Sequence, residues 1–323
     1  MTETDVLPVR DDLDTSTHSR KKVRKWKWVS FGLAAFIFFS IVKFPEAKLK
    51  ALIQAQLTTQ LSQLGIQMSA GSSELSFLFG LEYELEEVRF FFPRSNQPLE
   101  IKTLRFSPSL IALIVGDIGG SASIEIGGGE IDLSFKGDQA GKNFQFSFDL
   151  SDVDFEKAQV LRSLTPINGG LVLNGEGDFS GSPSSLTSLS GSFDLEIANL
   201  KIPPQKLVIP GLFFSPEIPS TIRIKDGKLR GSLKNGTLLL SEARLGSPRG
   251  QGGDLYLDSS GQVRLSPRLM SSSVDLKVKF ALYGELQKSF GLLDTLLKNF
   301  KKSDGTFSYQ LKGPVQRPRA TPL

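Results

Sequence analysis

From Gly65 onward, apolar side chains recur at every second position. Ile124 and Ile126 are followed by a glycine run, then Ile131, Leu133 and Phe135, then Phe144, Phe146, Phe148 and Leu150. A period of two puts such residues on one face of each strand, and the glycines and the KGDQAGK stretch supply the turns, so this region reads as a β-meander. Further strands are predicted over 83–92, 100–106, 171–175 and 192–198, then over 221–225, 228–233, 237–242, 253–257, 262–265, 274–282 and 306–312. Asp226 followed by Gly227, and Asn235 followed by Gly236, are hairpin signals because these residues tolerate positive φ. Helical spacing is rare: Asp154 caps a helix through Leu164, a second runs over 286–300, and 108–115 fits helix or strand equally. The predicted fold class is mainly β, a long curved antiparallel sheet or open half-barrel, with a closed sandwich as the alternative.

Ahead of the sheet the period is different. Leu49, Leu52, Ile53, Leu57, Leu61 and Leu64 are spaced by three or four for most steps, with Pro45 at the start and Gly65 at the stop. This predicts an amphipathic helix over 45–64 that lays its stripe on the sheet. Residues 26–44 before it contain VSFGLAAFIFFSIV, which is without charge. Trp26 and Trp28 suit a membrane interface, Phe31, Phe36, Phe38 and Phe39 suit the hydrocarbon, and Lys27 and Lys43 can snorkel. A cleaved signal peptide is the rival reading, but the sequence following Val42, KFPEAKLKA, has no small-x-small site. Arg20, Lys21, Lys22, Arg24, Lys25 and Lys27 precede the span, so the positive-inside rule predicts a cytoplasmic N-terminus and an exported body.

Charge changes the picture little beyond that. Of 38 Lys and Arg, eight lie in residues 1–44 against five acids, leaving 30 basic and 29 acidic residues in the body. A body so nearly neutral gives no electrostatic reason to bind nucleic acid. There is no Cys, and the single His is His18 in the polar tail, which excludes disulfides, thiolate catalysis and His-pair metal sites. The glycines of NGEGDFSG are spaced G-x-G-x-x-x-G between strands, with no helix to receive a phosphate, and GDQAGKN misses the P-loop. Paired carboxylates such as Glu86 with Glu87 read as exposed strand positions. The expectation is no enzyme, no cofactor and no metal. Composition does single out phenylalanine, at 24 residues against four Tyr and two Trp. Phe buries area without a hydrogen-bonding handle, so Phe144, Phe146 and Phe148 mark either a dry core or an apolar groove or partner surface.

The expected organisation is a basic cytoplasmic arm over 1–25, the anchor over 26–44, the helix over 45–64 and a β-rich periplasmic region over 65–202. A Pro-rich connection over 203–220, a further β-rich region over 221–313 and a flexible tail over 314–323 follow. With the run LVLNGEGDFSGSPSSLTSLSGSFDLEIANLKI at 171–202, this layout resembles the AsmA-like envelope proteins. The run SDGTFSYQLKGPVQRPRATP at 303–322 makes it most similar, within that group, to the GspN family of type II secretion proteins. The resemblance implies a single-pass inner-membrane protein with a periplasmic body, associated with the general secretion pathway, and supplies no catalytic residues. Two function classes stay open: docking of other secretion-system components, and binding or transfer of lipid acyl chains in a groove.

Overall fold

A computed structural model describes residues 46–63, 65–76, 80–92, 97–109, 112, 115–138, 140, 142–164, 168–182, 185–206, 217–248, 251, 253–266, 271–289, 300–315 and 317–323. The chain divides into two compact units, Met1–Leu49 and Lys50–Leu323, and almost all described residues belong to the second. Among the described residues no helix is long and apolar enough to cross a membrane. The arm over 1–25 and the anchor over 26–44, with Trp26, Trp28, Phe31, Phe36, Phe38 and Phe39, lie outside them.

The second unit is built on one 15-stranded antiparallel sheet that does not close into a barrel. It begins with β1 (Gln67–Ser69) and β2 (Ser72–Ser76), which both pair with β3 (Glu82–Phe91). The meander continues through β4 (Leu99–Pro108), β5 (Asp117–Ile126), β6 (Gly129–Asp138), β7 (Phe144–Asp154), β8 (Gly170–Ser182) and β9 (Ser185–Ile202). A separate two-stranded ribbon, β10 (Gln205–Lys206) with β11 (Glu217–Ile218), follows. The large sheet then resumes with β12 (Ile222–Lys234), β13 (Thr237–Leu245), β14 (Leu255–Arg264), β15 (Ser273–Leu282), β16 (Phe307–Pro314) and β17 (Arg319–Pro322).

Several sequence expectations change here. The Pro-rich connection does not divide the sheet, because β9 pairs directly with β12 from Ile202 opposite Ile222 to Ser190 opposite Lys234. Only one of the two hairpin signals is a turn: Asn235 (φ 51) and Gly236 (φ 70) join β12 to β13. Asp226 and Gly227 instead lie inside β12, where β9 pairs with both and β13 pairs with Gly227. The glycines of NGEGDFSG also lie within a strand, β8, rather than between strands. Residues 319–322 of the expected tail form β17, since Lys312 to Tyr309 offer a free ladder to the returning chain. Asp154 does cap, accepting from the Glu156 and Lys157 N–H groups at 2.9 and 3.1 Å, but the helix it precedes is short, α2 (Val160–Leu164). The second expected helix begins at α3 (Gly284–Ser289), with 290–299 outside the described residues.

Two buried clusters occupy one end of the strands. The first contains Leu85, Val88, Ile101, Ile126, Val153 and Val160, with Ile53 and Leu57 of α1 (Glu46–Gln63) packed against it. A portion of the predicted stripe of α1 therefore does meet the sheet, and Gln54 Nε2 donates to Ser73 Oγ at 3.3 Å, although Leu52 is 66% exposed. The second cluster gathers Ile218, Ile222 and Ile224 beneath Leu286 of α3. A residue with positive φ sets these ends apart on three strands, with a bulge at Asp152 and at Asn199. Glu87, Asp152 and Asn199 have φ near +50°, and at each the in-out alternation slips by one residue.

Candidate functional site

Cross-strand register assembles the alternating apolar residues into rows, since residues directly opposite in an antiparallel ladder share a face. One row starts at Leu75 and passes through Tyr83, Phe106, Ala122, Leu133 and Phe148. It continues through Gly177, Phe193, Gly231 and Leu240 to Gly261, Leu276, Leu311 and Ala320. These fourteen positions cross the sheet from β2 to β17, about 60 Å at the usual strand spacing. None is charged. A neighbouring row runs from Gly120 through Phe135, Phe146, Phe179 and Gly191 to Leu233, again without a charge.

Phenylalanine rings pave this face by lying over glycines. A Cβ on Gly177 would come within 2.6 Å of the Phe148 ring, one on Gly231 within 2.7 Å of Phe193, and one on Gly191 within 2.7 Å of Phe179. Glycine is therefore required for close approach at these positions, and the flattened rings meet one another. Phe106 and Phe135 stack at 6.1 Å across the intervening strand, and Phe148 stacks on Phe179 at 6.3 Å. The three phenylalanines singled out from sequence sit here as well: Phe144 to Phe146 and Phe146 to Phe148 are each 6.3 Å apart. All three are half-buried, in contrast to Leu85 at 1% and Val88 at 0% in the closed cluster. Among the described residues, this strip of the apolar face carries no helix comparable to α1 or α3.

The opposite face carries charge. Arg230 Nε is 2.6 Å from Asp194, Lys228 Nζ is 2.9 Å from Glu196, and Lys102 pairs with Glu125. The shifts in ionisation follow from such neighbours: a hydrogen bond to Asp194 raises Arg230, and one from Lys102 lowers Glu125. Asp304 is held far below the usual carboxylate range by Lys279 at 2.7 Å, aided by Thr306. Shallow polar hollows also lie on this side against β5–β9, lined by Ser134, Ser147, Asp132, Asp149 and Asp178. They arise because serine and aspartate side chains are short. No group of three or more potential metal ligands occurs among the described residues.

Sequence reasoning singled out Phe144, Phe146 and Phe148 and placed Phe135 on the apolar face of its strand, but missed Phe106, Phe179 and Phe193, which complete the pavement. The available signal was a phenylalanine on one strand facing a glycine on the next, and reading it requires the register. No family profile, curated protein or solved structure matches this chain.

Proposed function

We propose that this chain is a non-enzymatic, lipid-binding protein of the cell envelope, and that its sheet curves so that the Phe-paved face forms a trough for acyl chains. The supporting observation is the uncharged row from Leu75 to Ala320 beside half-buried phenylalanines. A largely half-buried, uncharged strip of this extent leaves apolar area for an apolar occupant, and rings without hydrogen-bonding groups suit hydrocarbon better than a wet protein interface. The reading includes the inner-membrane anchor over 26–44, a cytoplasmic N-terminus and a periplasmic body. It matches the lipid-handling alternative that the AsmA-like resemblance implies.

A second reading, docking of type II secretion components, is favoured by one feature. All four residues of β17, at the sheet's edge, are exposed, so an extended partner segment has a ladder to pair with. Native mass spectrometry of the full chain released from detergent micelles tests the lipid reading. Phospholipid adducts are the expected result. A folded but lipid-free chain contradicts it and leaves the docking reading in front.

A further inference from the structure

The apolar face holds two hydroxyl groups that its chemistry does not explain. Of the four tyrosines, Tyr83 stands in the long apolar row and Tyr309 lies on the same face two residues before Leu311, near opposite edges of the sheet. Both hydroxyl oxygens are buried and have no hydrogen-bond partner among the described residues. Tyr256 contrasts with them: it lies on the other face, 3.4 Å from an Asp258 oxygen. Tyr83 is 2% exposed and belongs to the first buried cluster with Leu85 and Val88, at its border with the uncharged row, where it faces Leu75 and the exposed Phe106 across the ladder. Tyr309 faces Val278 and Pro322 and stacks on Phe280 at 6.2 Å. None of these neighbours can accept a hydrogen bond through its side chain.

A buried hydroxyl without a partner is destabilising, and phenylalanine would fill either place without that penalty. Phenylalanine is what the rest of this face uses. The hydroxyls therefore point to an acceptor that arrives with the ligand. That acceptor must be uncharged, because a carboxylate placed among Leu75, Phe106 and Val278 would meet no opposing cation in the facing positions. An ester carbonyl fits. It lies at the head of an acyl chain, so a lipid hydrogen-bonded at Tyr83 would run its chains along Phe106, Ala122, Leu133 and Phe148.

Resting on the acyl-chain reading above, we propose that Tyr83 and Tyr309 donate hydrogen bonds to ester carbonyls of diacyl glycerophospholipids bound on the apolar face. The test offers the full chain, in detergent micelles, an equal mixture of diester and diether phosphatidylglycerol with identical chains. The two probes differ only in the carbonyl oxygens. Native mass spectrometry should show the wild type favouring the diester about threefold to tenfold, the range of a net hydrogen bond. In the Tyr83→Phe/Tyr309→Phe double variant the preference should vanish because bound diester falls to the level of the diether, which itself stays as in the wild type, and thermal stability should hold or rise.

An unbiased wild type, or a double variant that keeps its bias, would overturn the proposal. A double variant of lower thermal stability would also count against it, since the hydroxyls would then have partners within the protein. Palmitic acid added as a third competitor should displace little diester; equal competition would replace the ester assignment with a free acid. Absence of either phospholipid from the wild type would remove the trough reading itself, whereas lipid bound without ester preference would remove only the role of the hydroxyls.

Discussion

Phe148→Glu is expected to leave the protein folded and to strip it of lipid. Phe148 is half-buried in the middle of the uncharged row, and its ring stacks on Phe179 and lies near Phe146. Loss of those ring contacts should destabilise by about 0.5 to 1.5 kcal/mol each, well within the stability of an ordinary domain. The new carboxylate can keep its water on an uncovered face. An acyl chain, by contrast, would have to desolvate that charge in order to lie across it, so bound phospholipid should fall at least about tenfold. Circular dichroism and lipid extraction on the same purified full chain check both halves. Unfolding of the variant would mean that Phe148 belongs to a closed core and would contradict the trough.

Leu85→Asp should do the opposite. Leu85 is 1% exposed in the cluster that contains Val88 and Ile101 and receives Ile53 and Leu57 of α1. Its cross-strand neighbours are Ser73 and Leu104, and no cation stands opposite. Burying an unpaired carboxylate there should destabilise by several kcal/mol or force it to take up a proton, and either effect loosens the end of the sheet beneath α1. Limited proteolysis should show rapid cleavage where the wild type resists. Wild-type resistance would mean that the cluster is not the closed core described above. Leu85 and Phe148 thus mark the two regimes of one face, dry beneath a helix and open beyond it.

The alternation at Phe144, Phe146, Phe148 and Leu150 was legible because a strand's two faces differ by one residue in the chain. The antiparallel meander follows from many such runs joined by short turns. Register was not legible in the same way: nothing local places Phe193 opposite Gly231 or Phe148 opposite Gly177, yet these pairs make the face smooth. Glycine misled for a related reason. Asp226 with Gly227, and the glycines of NGEGDFSG, look like turns in one dimension, but within the sheet Gly177 gives room to the Phe148 ring and Gly227 to Leu245, while Gly175 and Gly181 lie close against the backbone of β9. The positive-φ positions Glu87, Asp152 and Asn199 carry no glycine and left no signal, so the slip that separates closed from open band stayed hidden. The hydroxyls of Tyr83 and Tyr309 could be recognised as unpartnered only after the surrounding strands were in place.

Photo-crosslinking along two strands tests the central claim most directly, because it reads which face touches lipid in the living cell. Benzoylphenylalanine would replace, one at a time, Ser147 and Phe148 of β7 and Leu239 and Leu240 of β13 in the full chain. Phe148 and Leu240 lie in the uncharged row; Ser147 and Leu239 lie on the opposite face. Leu239 is the informative control, being apolar and 51% exposed on that side. Phospholipid adducts at 148 and 240 but not at 147 and 239 are the predicted pattern, a period of two set by the strand. Equal lipid labelling at 239 and 240, or adducts to protein alone at 148 and 240, would contradict the account.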